Sequence, residues 1–242
     1  MMTEEIILYD LASTKGVCFS PAVWRVRLVL NFKGIAYKTV FLEFPDIEGT
    51  LKPLVSPPSG EGKIKYTVPA IHHISSDSYI MDSAQIASFL ESTYPDPPVP
   101  LTSELGRTIE AQARSVIGAT FGASVIPREM NILSPRAQEY FRRTREAHLG
   151  HRLEDLLADP EKEEQSWDAV SEGIRAVGGL LRKNREDGPF VLGARPSYTD
   201  FFIAGSMQAA RVVHEGVFSK IVAYDGFREI YEACLPYLGK KD

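Results

Sequence analysis

Four prolines within six residues constrain the fold of this chain more than any other sequence feature. They stand at positions 95, 97, 98 and 100. Because a proline has no backbone N–H and its ring clashes with a preceding helical turn, this segment can continue neither a helix nor a central strand. Strand-like and helix-like segments alternate before it, whereas only helical spacing follows it. We therefore predict an α/β domain over residues 1–94, a linker over 95–103 and an all-helical domain over 104–242.

The first part of the α/β domain has the pattern of a β-α-β unit. Residues 6–10 are apolar and β-prone, and residues 36–41 are β-branched and aromatic. Between them, Ser20 and Pro21 are typical of the N-cap and first residue of a helix, and Gly34 of the position just past its end. The two strands of such a unit pair in parallel with a right-handed connection.

The rest of this domain is predicted as a long loop followed by a β-β-α unit. Residues 44–66 are rich in proline and glycine and leave room for at most one short helix, near residues 47–54. Residues 70–74 and 79–81 predict an antiparallel hairpin. A helix over residues 83–94 then leads to the linker.

Beyond the linker, apolar residues recur with the period of helices and nowhere alternate with the period of strands. The segment from Asp159 to Glu164 is a run of charges with a proline and is predicted as an exposed loop. The predicted helices cover residues 101–125, 135–157, 164–185, 198–213 and 225–237.

Composition excludes several classes of function. With 44% hydrophobic and 24% charged residues, the chain of 242 residues is globular. Its net charge of -5 is opposite to the basic surface of nucleic-acid-binding proteins, so we expect no nucleic-acid partner. No apolar run reaches the about 18 residues of a membrane span, and the acidic start is unlike a secretory signal. We expect a cytoplasmic protein that does not bind membranes.

The two cysteines, Cys18 and Cys234, are too few for a disulfide framework or a cysteine-rich zinc site. We therefore expect no metal.

Ser20 is the most informative candidate for chemistry. The N-terminus of a helix carries unpaired N–H groups and about half a positive charge, so it favours anions. The Ser20 hydroxyl can accept a hydrogen bond from the helix and still donate its own proton to a bound sulfur anion. The sequence leaves two interpretations open, an N-cap alone or an N-cap that also stabilises an anion.

Two further pairs of residues are candidates for binding an extended, charged ligand. Pro69 opens a strand, and a cis bond after Val68 would free the Val68 backbone to pair with a ligand, although a trans proline is the commoner case. Asp82 and Ser83 precede a helix, where they either cap it or bind the ammonium and carboxylate of an amino-acid head group.

Together these features resemble the glutathione transferase superfamily, with its thioredoxin-like N-terminal domain and all-α C-terminal domain. The resemblance covers essentially the whole chain. It includes Ser197 and Asp200, which look like the buried capping box of that superfamily, a structural motif. The run from Ser20 to Arg25 is similar to the bacterial lignin β-etherase group and to the related fungal-specific A class.

The resemblance implies a role for each candidate and glutathione as co-substrate. Ser20 matches the residue that activates glutathione, Val68 and Pro69 the cis-proline pair that binds the cysteinyl backbone, and Asp82 with Ser83 the γ-glutamyl site. Cysteine-dependent relatives carry their thiol at the position of Ser20, so Cys18 is not expected to be a nucleophile.

The resemblance therefore implies a serine-type glutathione transferase that acts on small hydrophobic or aromatic electrophiles, in detoxification or on lignin-derived or wood-extractive compounds, as a homodimer. The alternatives are a ligandin-like carrier of aromatic molecules with little catalysis, a glutathione-dependent β-etherase, and a regulatory protein that has lost the site. Phe121, Met130 and Tyr140 are candidates for the hydrophobic pocket, although such residues are more often core. The sequence does not choose among Lys52, Lys63 and Lys65 for the glycyl carboxylate.

Overall fold

The computed structural model describes residues 5–56 and 65–239. Its N-terminal part is built on one sheet in the order β2-β1-β3-β4, with β2 parallel to β1 and with β3 and β4 antiparallel to their neighbours. The predicted β-α-β unit and hairpin are therefore confirmed. The strands are β1 (Ile6–Leu11), β2 (Tyr37–Leu42), β3 (Ala70–His73) and β4 (Ser78–Met81).

Three helices accompany the sheet. They are α1 (Pro21–Lys33), α2 (Ile47–Leu51) and α3 (Ser83–Thr93), and a 3-10 turn at Phe44–Asp46 precedes α2. Helix α1 ends at Gly34, whose φ of 66° is in the left-handed region that glycine adopts without strain. The predicted bounds of α1 are confirmed because proline at the start and glycine past the end are strong local signals.

The rest of the described chain is helical. Residues 94–103 connect α3 to α4, and a π-helical turn at Phe121–Val125 follows α4. The helices are α4 (Glu104–Thr120), α5 (Ile126–Glu129), α6 (Pro135–Leu149), α7 (Pro160–Asp168), α8 (Ser171–Leu181), α9 (Tyr198–Val213), α10 (Glu215–Ile221) and α11 (Phe227–Cys234).

Several predictions for this half were wrong. The charge run predicted as a loop is the start of α7, because the Asp159 side chain accepts a hydrogen bond from the Lys162 N–H at 3.2 Å and caps the helix. The single helix predicted over 164–185 is two helices, α7 and α8. Helix α6 stops at Leu149 because Gly150 adopts a φ of 77°, and α10 was not predicted.

The two parts of the chain pack through α1 and α9, which are both largely buried. Gly205 makes this contact close, since a Cβ at that position would lie 3.1 Å from the Trp24 Cβ. The predicted capping box at the start of α9 is confirmed. The Asp200 carboxylate accepts hydrogen bonds from the Ser197 N–H at 2.7 Å, the Ser197 hydroxyl at 2.6 Å and the Val191 N–H at 2.8 Å.

Two adjacent glycines of α8 test the packing of the helical part. A Cβ at Gly178 would lie 2.2 Å from the Asp225 carbonyl oxygen, whereas a Cβ at Gly179 would meet nothing within 4 Å. We expect Gly178→Ala to lower the free energy of unfolding by about 1–3 kcal/mol, because a backbone atom must move. The matched control, Gly179→Ala, should raise it by about 0.5–1 kcal/mol through helix propensity. Urea unfolding measures both, and equal effects would contradict the packing described.

Within the described ranges, no helix is both long enough and apolar enough to cross a lipid bilayer.

Candidate functional site

Strand direction brings the predicted site residues to one edge of the sheet. Strand β1 ends at Leu11 and leads to the turn before α1, and β3 runs antiparallel to it, so the start of β3 lies at the same edge. Strand β4 reverses again, which returns its last residue, Met81, to that edge opposite Ala70. The segments that carry Ser20, Val68 and Asp82 therefore leave the sheet at a common edge.

Ser20 is the N-cap of α1 and is 8% exposed. Its Oγ accepts a hydrogen bond from the Val23 N–H at 3.4 Å, and its carbonyl oxygen accepts one from the Trp24 N–H at 3.0 Å. Among the described residues, no group accepts the proton of the Ser20 hydroxyl. Ser20 thus caps the helix and retains a donor at its positive end.

Cys18 has no surface exposure and lies behind Ser20. Its Sγ is 3.7 Å from the Ser20 carbonyl oxygen, and its own carbonyl oxygen accepts a hydrogen bond from the Trp24 indole N–H at 3.0 Å. Burial, together with the neighbouring Asp10 carboxylate, raises the pKa of the Cys18 thiol well above its usual value. The thiol stays protonated, and its contacts support the turn that carries Ser20.

A buried ion pair lies beneath that turn. Arg27 Nε and an Arg27 terminal nitrogen donate to one oxygen of Asp10 at 3.1 and 2.9 Å, and both side chains have no exposure. The other Asp10 oxygen accepts from the Leu11 N–H at 2.6 Å, and Arg27 also donates to the Thr39 hydroxyl at 2.9 Å. The pair therefore joins β1, α1 and β2 directly below the candidate site.

The peptide bond between Val68 and Pro69 is cis, as the resemblance implied and contrary to the commoner case for proline. Pro69 is held against β4, since its carbonyl oxygen accepts from the Asp82 N–H at 3.2 Å. The backbone N–H and carbonyl of Val68 have no hydrogen-bond partner within the described residues. Both groups are available to an extended ligand.

Asp82 and Ser83 form the start of α3. The Asp82 side chain accepts hydrogen bonds from the N–H groups of Ala84 at 2.9 Å and Gln85 at 3.3 Å, so the capping interpretation is confirmed. Asp82 is exposed and has a φ of 80°, a conformation that costs energy outside glycine and is often found at functional sites. Ser83 is 8% exposed at the first position of the helix.

The helical part of the chain forms a wall beside the Ser20 turn. The Thr14 N–H donates to the Ile132 carbonyl at 2.8 Å. Phe44, which follows β2, is 6.4 Å from Phe19, 5.3 Å from Phe141 and 6.4 Å from Tyr140 between ring centroids. An aromatic cluster therefore continues from the turn into the second domain, with Phe19 and Phe141 buried and Phe44 and Tyr140 half-buried.

The predicted pocket residues are not all in one place. Tyr140 stacks on Phe44. Met130 is the first residue of the 3-10 turn after α5, and the last residue of that turn, Ile132, accepts the hydrogen bond from Thr14. Phe121 instead lines a small apolar cavity of about 10 Å³ inside the helical part, together with Trp167. Of the three candidate lysines, Lys52 and Lys65 are exposed, and Lys63 lies outside the described residues.

Comparison with known proteins identifies the family. Residues 19–93 match the family described as Glutathione S-transferase, N-terminal domain, and residues 105–234 match Glutathione S-transferase, C-terminal domain. The chain belongs to the glutathione S-transferase family. Its four-stranded sheet and its helical half are the two domains of a glutathione transferase fold, as the sequence predicted.

Three proteins that this glutathione transferase is similar to come from fungi. Glutathione S-transferase-like protein ustS of Aspergillus flavus is 35% identical in an alignment 221 positions long, which covers 83% of this chain and 79% of ustS. Glutathione transferase GSTFuA2 from Phanerochaete chrysosporium has a TM-score of 0.86 at 28% identity, over 99% of this chain and 100% of that one. A glutathione S-transferase of Ceriporiopsis subvermispora, crystallised with glutathione, has a TM-score of 0.85 at 31% identity, over 98% and 99% of the two chains.

Sequence reasoning missed Asp10 and Arg27. A signal existed, because Arg27 lies four residues after Val23 and three before Leu30, on the buried face of a helix. A charge at such a position requires a buried partner.

The structure shows no metal site in residues 5–56 and 65–239. Within these ranges no three histidine, cysteine or acidic side chains are grouped so that they could bind an ion.

Glu129 of α5 makes the stability of the fold depend on pH. Burial raises its pKa from 4.5 to about 8, and the nearby Arg145 offsets only part of this effect. The folded state then binds a proton that the unfolded state has lost, so the free energy of unfolding falls as the pH rises from 4.5 to about 8. The slope is at most about 1.4 kcal/mol per pH unit.

We expect Glu129→Gln to be more stable than the unchanged protein at pH 8, with an advantage that shrinks as the pH falls toward 5. Urea unfolding at a series of pH values measures the difference. Glu139→Gln, on the exposed face of α6, is the control. An advantage independent of pH would show that Glu129 ionises as it does in the unfolded chain.

Proposed function

We propose that this protein is a serine-type glutathione transferase in which the Ser20 hydroxyl stabilises the thiolate of glutathione. The observation that supports the proposal is that the Ser20 hydroxyl still has a proton to donate. It accepts from the Val23 N–H, lies 8% exposed at the positive end of α1, and its proton has no acceptor among the described residues. A sulfur anion is the acceptor that this donor and this helix end favour.

The chemistry follows from thiol ionisation. A free thiol has a pKa near 8.5, and only the thiolate is a good nucleophile. In the proposed reaction the glutathione thiol loses its proton to solvent, and the sulfur forms a bond to an electrophilic carbon while the leaving group departs with its electron pair. A hydrogen bond from Ser20 that lowers the thiol pKa by one unit, about 1.4 kcal/mol, raises the thiolate fraction at neutral pH roughly tenfold.

Other residues at the same edge of the sheet offer hydrogen-bond partners for the cysteinyl backbone and the γ-glutamyl group of glutathione. The unpaired backbone groups of Val68, next to the cis Pro69, suit the cysteinyl backbone. Asp82 and Ser83 suit the γ-glutamyl ammonium and carboxylate, because a carboxylate at the start of α3 is favoured by the helix dipole. The likeness to a relative crystallised with glutathione supports this assignment.

The electrophile is proposed to be small and hydrophobic or aromatic, since the half-buried rings of Phe44 and Tyr140 stack beside the Ser20 turn and rest on the buried Phe19. Detoxification of lignin-derived or wood-extractive compounds, in the cytoplasm and as a homodimer, is the setting that the sequence resemblance to the fungal-specific A class implies.

Turnover and binding measured together test the proposal. Glutathione binding is measured by calorimetry, and conjugation by the rate of product formation with a panel of aromatic electrophiles, including lignin-type aryl ethers. The proposal expects both saturable binding and turnover. Binding of glutathione and aromatic ligands without turnover would identify a carrier, and absence of glutathione binding would refute a transferase altogether.

A further inference from the structure

Buried polar groups without a hydrogen bond collect at one place behind the start of α3. In the described part of the chain, three buried side-chain nitrogen or oxygen atoms lack such a partner. One is Arg182 Nε, which lies 3.5 Å from a Glu229 carboxylate oxygen. The other two are Arg25 Nε and the Tyr198 hydroxyl, which are neighbours. Because each unpaired buried group costs free energy, a pair of them calls for an explanation.

The Tyr198 hydroxyl belongs to the helical domain but faces the thioredoxin-like domain. Tyr198 is the first residue of α9 and is 5% exposed. Its hydroxyl faces the side chains of Ser83 and Arg25 without a hydrogen bond of good geometry to either. Burial raises the pKa of Tyr198, so the phenol stays protonated and can donate.

Arg25 supplies positive charge at the same place. Its guanidinium lies 4.3 Å from the centroid of the Phe202 ring, and the guanidinium of Arg114 lies 5.1 Å from that centroid. Among the described residues, Arg25 forms no ion pair with a carboxylate. The nearby Glu110 is engaged by the Thr199 hydroxyl at 2.9 Å and by Arg114 at 3.5 Å. Arg25 therefore shares the charge of the Glu110 carboxylate with Arg114 and Thr199, and its positive charge lies beside the Tyr198 hydroxyl.

These observations all concern the hydroxyl of Ser83. The start of α3 carries partial positive charge, and Ser83 stands at its first position. When the Ser83 hydroxyl donates to a carboxylate, its oxygen becomes a stronger acceptor for a second donor, because hydrogen bonds in a chain polarise one another. The Tyr198 hydroxyl is the buried donor that faces that oxygen.

We propose that Tyr198 and Arg25 are positioning residues for the γ-glutamyl carboxylate of glutathione: Tyr198 donates to Ser83 when Ser83 donates to that carboxylate, and Arg25 balances its charge. This inference rests on the proposed function and extends it, since it makes the helical domain a part of γ-glutamyl recognition. It follows that the chain prefers thiols with a γ-glutamyl carboxylate over thiols that lack it.

The test compares two ligands with two variants. The ligands are glutathione and the analogue in which the α-carboxyl group of the γ-glutamyl residue is replaced by hydrogen, both measured by calorimetry, the analogue in competition with glutathione. We expect Tyr198→Phe to weaken glutathione binding about tenfold, as expected for a hydrogen bond in a charged network, and to change binding of the analogue less than twofold. Arg25→Gln should act in the same direction, and Arg25→Lys should recover part of the loss.

Thermal unfolding separates positioning from a structural role. Because the Tyr198 hydroxyl has no hydrogen bond to lose in the free protein, Tyr198→Phe should leave the unfolding midpoint unchanged or raised. Tyr224→Phe, after α10 and with its ring against Arg175, is the matched control for loss of a phenol hydroxyl. Equal losses for both ligands, no loss for glutathione, or a lowered midpoint would each overturn the inference. Failure of the unchanged protein to bind glutathione would refute the proposed function and the inference with it.

Discussion

Replacing Arg27 by methionine should lower the free energy of unfolding by about 3–5 kcal/mol, because the variant leaves the Asp10 carboxylate buried without its partner. Both side chains have no exposure, so water cannot take over the lost hydrogen bonds. Methionine keeps much of the volume of arginine, which limits the cavity contribution. Urea unfolding followed by circular dichroism measures the change.

Two variants make this prediction specific. Arg107→Met, on the exposed face of α4, is the matched control and should change stability by less than about 0.5 kcal/mol. The double variant Asp10→Leu, Arg27→Met removes both charges and should recover part of the loss. A loss below about 1 kcal/mol in Arg27→Met would mean that the pair contributes no more than exposed ion pairs do.

Replacing Ser20 by alanine should lower kcat/KM for glutathione about 10- to 100-fold at neutral pH, because a hydrogen bond to a charged group contributes about 1.5–3 kcal/mol. The same change removes the N-cap of α1 and should lower the free energy of unfolding by about 1 kcal/mol. Steady-state rates and urea unfolding separate the two effects.

A second capping serine provides the control. Ser103 is the N-cap of α4, a different helix, and accepts a hydrogen bond from the Gly106 N–H at 2.8 Å. Ser103→Ala should therefore lose similar stability and keep its turnover. Equal turnover in Ser20→Ala and the unchanged protein would reduce Ser20 to a helix cap.

Local signals explain what could be predicted from the sequence. The bounds of α1 follow from Pro21 and Gly34, and the capping box of α9 follows from Ser197 and Asp200, because each signal acts within a few residues. The fold and family required the order of many such signals along the chain. Neither Ser20 nor Asp82 alone would have identified the fold or the family, because both act as ordinary helix caps.

Long-range pairs explain what could not be predicted. Arg27 meets Asp10 only because α1 folds back over β1, and Tyr198 reaches Ser83 only because α9 packs against the first domain. The sequence contains these residues but not their separation in space. The start of α7 was missed for the opposite reason, since the charges after Asp159 are favourable at a helix N-terminus and were interpreted as a loop.

The ionisation of bound glutathione tests the role of Ser20 most directly. Ultraviolet absorbance of the thiolate is followed as a function of pH with glutathione bound to the unchanged protein and to Ser20→Ala. We expect a thiol pKa at least about one unit below the free value near 8.5 in the unchanged protein, and a return toward that value in Ser20→Ala. An identical thiol pKa in the two proteins would contradict the account.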